Sequence, residues 1–319
     1  MGCRVGVAYG EELLLYSFPE PHPFRRERVE RFYQALQSLE SRFPEDIVRV
    51  DPRPARRDEV LIYHEEDYLD FVKECSERGR GYLDYGDTPA FKGCYEASLY
   101  VVGSTLKLVD LILEGRIDHG FNPMGGLHHA RRGKAGGFCI FNDASIAIQY
   151  LLDKIGLKKV LYVDIDAHHG DGVFYDFYYD KRVLIIDVHQ DGRTLYPGTG
   201  FSHERGGGEA VGTKLNIPLP PGAGVEEFKE SWKMLAEKFI EDSDPDFILL
   251  QAGADGLKGD PLTALNYSEE VHRFVASRLH RFSEERCDGR ILAMGGGGYD
   301  LENVARAWSA VVEALITRS

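Results

Sequence analysis

Three apolar runs in this chain stop abruptly in chemistry. "VLYVDID" leads into "AHHGDG", "FILLQAG" into "ADGLKGDP", and "ILAM" into "GGGGYD". Runs that are apolar at successive positions mark strands buried on both faces, and such strands belong to parallel sheets covered by helices. "RVGVAYG" and "VLIIDVH" have the same character. Helical periodicity occupies the intervening stretches, around 25–42, 92–114, 142–155, 225–241, 268–285 and 301–316. The expected fold is therefore α/β, an open and mostly parallel β-sheet flanked by helices on both faces. With no repeat, low-complexity segment or linker to divide it, residues 1–319 read as a single domain.

In such sheets ligands gather outside the carboxyl ends of the strands. "GGLHHARRGKAGGFCIFND" adds a fourth cluster to the three strand ends. Side chains alternate along a strand, so Asp164, Asp166 and His168 are expected on one side, with Val163, Ile165 and Ala167 on the other. Asp255 supplies a further ligand from a second strand end. Two carboxylates and an imidazole that leave a position open for water form a catalytic zinc pattern, and the oxygen-rich set also tolerates iron(II). Taken alone, Asp-x-His reads as a solvated turn or a satisfied core histidine. With Asp255 and the adjacent His169 it reads as a metal centre.

The formal net charge of −14 argues against a nucleic-acid-binding surface and suits cationic partners, while also serving solubility. The cysteines, Cys3, Cys75, Cys94, Cys139 and Cys287, form no CxxC pair, so no disulfide framework or thiolate zinc site is expected. A reducing cytoplasm is the expected setting. "MGCRVGVAYG" lacks a signal-peptide core, its Gly6 departs from a myristoylation start, and no apolar run is long enough for a membrane.

Across nearly its whole length the chain resembles the histone deacetylase superfamily, including its acetoin-utilisation and acetylpolyamine amidohydrolase branches. The resemblance rests on "HPFRRERV", "YHEEDYLDFV", "GDTPAF", "GGLHHA", "GGFCIFND", "VDIDAHHGDGV", "YPGTG", "LQAGADGLKGDPL" and "GGGGYDLENVARAW", in that order. It implies the fold shared with arginases. It also implies zinc on Asp166, His168 and Asp255, with His129 as general base and acid and His128 tuning the site. Asp164 and Asp171 match the carboxylate partners of those histidines, and Tyr299 matches the donor to the substrate carbonyl. Without that role, Tyr299 would merely pack at a glycine-rich turn.

By the same resemblance Phe138, beside Gly137, and Tyr196 line an acyl-lysine tunnel. Asp87 matches a rim carboxylate for peptide N–H groups, or is a solvated loop residue. Arg28 matches a buried arginine near an acetate-release cavity, or is a helix-surface ion-pair partner. Two potassium sites carry over, one on Asp164, Asp166, His168, Asp187 and Val188, the other on Phe177, Asp180, Val183 and Thr213. Tyr196 replaces a usual phenylalanine, Asp187 a frequent serine, and Leu262 stands where polyamine-selective relatives carry Glu. The leading expectation is a zinc-dependent amidohydrolase acting on acyl-lysine in proteins or peptides. The alternatives are an acetylpolyamine deacetylase, a silent acyl-lysine binding protein and an arginase-like hydrolase, for which the bridging carboxylates are too few.

Overall fold

The computed structural model describes residues 2–317, so Met1, Arg318 and Ser319 at the ends of the expected span lie outside the described residues. The strands are β1 (Val5–Ala8), β2 (Ile47–Val50), β3 (His119–Asn122), β4 (Val160–Asp164), β5 (Val183–Gln190), β6 (Lys214–Leu219), β7 (Phe247–Gln251) and β8 (Ile291–Met294). They form one sheet in the order β2-β1-β3-β8-β7-β4-β5-β6. Every pairing is parallel, which sharpens the expected "mostly parallel" sheet.

The helices are α1 (Glu27–Arg42), α2 (Arg57–Val60), α3 (Glu66–Arg78), α4 (Cys94–Leu113), α5 (Asp143–Tyr150), α6 (Asp171–Asp176), α7 (Val225–Ser231), α8 (Glu237–Glu241), α9 (Glu269–Arg286) and α10 (Leu301–Thr317). The stretch expected helical over 142–155 ends in a π-turn, Leu151–Ile155, and a second π-turn, Trp232–Ala236, joins α7 to α8. Residue alternation along β3 shows how the helices cover both faces. A side chain at Gly120 would meet Leu108 and Ile112 of α4, whereas Phe121 packs on Phe32 of α1 and Trp308 of α10. Among the described residues no helix is long and apolar enough to cross a membrane.

Three strands escape a reading by composition. β3 is "HGFN", poor in strand formers, and holds its place because it is buried between β1 and β8. β2 and β6 are the two sheet edges, and β6 carries Pro218, which an edge strand tolerates.

The register explains why the clusters coincide. Asn122 pairs with Met294, Met294 with Gln251, Gln251 with Asp164, and Asp164 with Asp187. Four strands therefore end in one row, beside Asp187 within β5, and the chain leaves that row into "PMGGLHH", "GGGGYD", "AGAD" and "IDAHHGD".

Candidate active site

β4 stops at Asp164, so Asp166 and His168 lie in the following loop rather than on the strand. Backbone N–H groups continue the expected alternation: Asp166 N–H donates to Asp164 Oδ1 and His168 N–H to Asp166 Oδ1. Asp255, after β7, meets them. His168 Nδ1 lies 3.1 Å from Asp166 Oδ1 and 2.8 Å from Asp255 Oδ2. The three donor atoms are all within 4.8 Å of one another, and the three residues are buried or nearly so. His169, by contrast, turns away to Thr199 Oγ1 at 2.8 Å.

Two carboxylates facing each other in a buried site need a cation or a proton between them. Burial and the charge of Asp166 push the Asp255 carboxyl up to about 7. Burial alone would lower His168, but the charges of Asp255 and Asp166 push it up to about 10. The donor set thus holds a positive charge at its centre, and its oxygen and nitrogen chemistry fits a divalent ion. Gln251 supports it from β7, donating through Nε2 to Asp166 Oδ2 at 2.9 Å. Gly297 N–H reaches the same oxygen at 2.8 Å.

That approach explains one glycine of the run after β8: a Cβ at Gly297 would sit 2.4 Å from Asp255 Oδ2. Clearance over the carboxylates, more than backbone freedom, requires glycine there. The backbone then presents Tyr299, whose N–H is held by Asp260 Oδ2 at 2.8 Å. Burial pushes its phenol well above the ordinary value, so it remains a donor.

The tandem histidines enter from the loop after β3. Asp143, at the start of α5, accepts the N–H groups of Gly126 and Leu127 and fixes that loop. His128 Nδ1 then lies 2.8 Å from Asp164 Oδ2, and His129 Nδ1 lies 2.7 Å from Asp171 Oδ1. Their Nε2 atoms are 3.1 Å apart. Burial alone would lower His128, yet the charge of Asp164 pushes it up to about 9, while burial and then His128 itself push His129 down to about 4. His129 is therefore the neutral member, its Nδ1–H directed at Asp171 and its Nε2 facing the Nε2 of His128. Both rings line one small inner cavity with Asp166, His168 and Tyr299.

A model of the histone deacetylase domain matches residues 22–315. The chain belongs to the histone deacetylase family. It is similar to the acetoin utilization protein AcuC of Bacillus subtilis (strain 168), 39% identical over 311 residues that cover 95% of this chain and 80% of the relative. It resembles AcuC of Staphylococcus aureus (strain MSSA476) at 36% identity, over 98% of this chain and 82% of that one. Among solved structures, the HDA15 HD domain superposes with a TM-score of 0.90 at 29% identity, covering 98% of this chain and 88% of that one. This is a deacetylase.

Around the centre of the deacetylase, Tyr196 sets its ring edge-on to His129 and His168, at 5.1 and 6.4 Å between centroids. Phe138 stands edge-on to Tyr299 at 5.9 Å. Phe138 holds a φ of 69° and Gly137 one of 53°, a left-handed pair that aims the phenyl ring. A mouth of about 620 Å³ opens outward, lined by Asp84, Asp87 and Tyr196 among others. Asp84 Oδ1 accepts the N–H groups of Gly86, Asp87 and Thr88, which ties Asp87 to the rim rather than leaving it in a loose solvated loop. Leu262 is 37% exposed, its N–H held by Asp260.

Arg28 is 1% exposed, so the surface ion pair is excluded. Its guanidinium donates to the carbonyls of Gly298 and Gly296 and lies 4.2 Å from the centre of the Phe24 ring. Its Nη1 has no partner among the described residues.

The first expected potassium set lies at the end of β4, in the loop after it and within β5, where the carboxylate of Asp187 is met by His189 at 2.6 Å and Gly170 N–H at 2.9 Å. The second expected set lies beside a lysine. The ammonium of Lys214 lies 3.1 Å from Asp180 O, 2.6 Å from Val183 O and 2.8 Å from Thr213 Oγ1. The Phe177 carbonyl accepts Asp180 N–H. A covalently attached amine therefore stands among Asp180, Val183 and Thr213 of the set that implies potassium. Sequence reading passed over Lys214 because a lysine opening an edge strand looks like a solvated charge. Gln251, Asp143 and Asp260 were also passed over, although each stands inside or beside a motif that was read.

Proposed function

We propose that this protein is a zinc-dependent amidohydrolase that removes acetyl, or a related acyl group, from the ε-amino group of lysine in proteins or peptides. The observation that carries the reading is the meeting of Asp166, His168 and Asp255 with the His128–Asp164 and His129–Asp171 pairs and Tyr299 around one cavity. Asp166, His168 and Asp255 would hold a divalent ion, which would supply Lewis acidity toward the acyl carbonyl and a water.

His129, oriented by Asp171, takes the proton from the attacking water at Nε2 and returns it to the leaving amine. His128 lends positive charge beside it. Tyr299 donates its O–H to the oxygen that becomes negative, and Arg28 holds the two carbonyls that fix the tyrosine's loop. The unpartnered Nη1 of Arg28 suits the acetate product. Phe138 and Tyr196 exclude water around the lysine stem, and Asp87 takes a backbone N–H of the peptide at the rim. A potassium ion on the first set would balance the carboxylates beside it. The absence of an acidic side chain at Leu262 favours acyl-lysine over acetylpolyamine.

Purified protein stripped of metal and reloaded with zinc or iron(II) is expected to release acetate from acetyllysine peptides faster than from acetylspermidine. Tyr299→Phe is expected to lose about a hundredfold or more in rate. No turnover with either metal sinks the reading, and a preference for acetylspermidine transfers it to polyamines.

A further inference from the structure

A second group of ligating side chains lies at the opposite edge of the sheet. His119 is the first residue of β3 and pairs in register with Val5, so Cys3 reaches the same amino edge two residues earlier. α9 crosses there and brings His280 and, one turn on, Glu284. Cys3 Sγ lies 3.6 Å from His280 Nε2, and His119 Nε2 lies 3.2 Å from the same nitrogen. All three donor atoms fall within 4.8 Å of one another, and all three residues are buried. Glu284 Oε1 stands 3.8 Å from His280 Nε2, its side chain 33% exposed.

We propose that Cys3, His119, His280 and Glu284 form a structural zinc site that clips the N-terminal segment and β3 to α9. Ligands about 2.0–2.1 Å (nitrogen) and about 2.3 Å (sulfur) from a tetrahedral zinc are separated by edges of roughly 3.3–3.6 Å. The observed 3.2 and 3.6 Å lie just below and at the top of that range. Two imidazole nitrogens so close need a proton or a cation between them. His280 is oriented for a metal, because its Nδ1–H is directed at the carbonyl of Ala314 on α10 at 3.1 Å, leaving the Nε2 lone pair facing the cluster. A thiolate and two imidazoles select zinc over the hard ions that carboxylates alone attract. Binding releases the thiol proton and ties together segments that are distant in the chain. The site is separate from the hydrolytic centre and does not depend on it.

The test is cobalt(II) and zinc titration of the untagged, metal-stripped full-length chain. A thiolate-to-cobalt charge-transfer band is expected in the near ultraviolet, because the hydrolytic donor set contains no sulfur. The band should persist in Asp255→Asn, which disables the other site, and in Cys139→Ser, which removes the cysteine lining the inner cavity. It should vanish in Cys3→Ser and His280→Gln, each with a loss of about one zinc equivalent. If either variant fails to fold, the band in Asp255→Asn still decides the matter. Its absence there, a band that follows Cys139, or zinc binding lost entirely in Asp255→Asn overturns the proposal and leaves a hydrogen-bonded histidine pair.

Discussion

His128 and His129 are neighbours in sequence, yet their Nδ1 atoms point to carboxylates from different segments, Asp164 at 2.8 Å and Asp171 at 2.7 Å. The two imidazoles therefore have separate anchors and separate duties. His129 lines both the inner cavity and the mouth, whereas His128 lines only the inner one. His129→Ala should lower kcat by about 10²–10⁴-fold, the usual contribution of a general base. His128→Ala should cost less. Steady-state kinetics on an acetyllysine peptide decides, and a larger loss for His128→Ala reverses the assignment.

Gly137 holds His129 in place from the other side. Its φ is 53°, and a Cβ there would lie 2.3 Å from His129 Cδ2. Gly137→Ala should cost roughly 1–2 kcal/mol in backbone strain. By displacing the imidazole about 1 Å it should also lower kcat about a hundredfold. A melting curve alongside kinetics separates the two effects. Unchanged kcat in a folded variant means that the ring adapts.

The rim carries a pH dependence. Burial, then the hydrogen bond and charge of Asp84, push the Asp87 carboxyl up to about 6. Asp84 remains ionised because three N–H groups converge on its Oδ1. Asp87 accepts a peptide N–H most strongly as the anion, so the contact has its full strength well above about 6 and weakens as pH falls through 6. The KM of an acetyllysine peptide should rise several-fold from pH 7 to 5, relative to a single acetyllysine lacking flanking amides. In Asp87→Asn that ratio should be flat, and a wild-type ratio that is also flat removes Asp87 from recognition.

Lys214 is 1% exposed, its ammonium surrounded by carbonyl and hydroxyl oxygens. Lys214→Met leaves those buried acceptors without their donor, at a cost of about 1–3 kcal/mol each. Replacing choline chloride by potassium chloride at equal ionic strength should raise the wild-type Tm only as far as the first set binds the ion. The variant should regain stability specifically in potassium, which enters the vacated cradle. A variant whose potassium response equals that of the wild type would show that the lysine does not substitute for the ion.

The strand-end chemistry was legible because it is local. The apolar runs specify buried parallel strands, and whatever follows such a strand lies at the sheet's carboxyl edge. Asp166, His168, Asp255 and Tyr299 needed no other information to be drawn to one place. Composition misled where burial comes from neighbours instead of from the segment itself: "HGFN" is a strand because β1 and β8 enclose it, and β6 looks unsuited with its Lys214 and Pro218.

Tertiary structure alone decided what the isolated charges do. Arg28 and Lys214 look like surface cations in a linear reading, and only packing shows that backbone carbonyls surround them. Cys3, His119 and His280 are separated by as many as 277 positions, and no spacing rule connects them. Periodicity and motif report what a segment presents to its surroundings. Which segments meet at a strand's amino edge, and which oxygens converge on an ammonium, follows from the strand order, which a linear chain does not display.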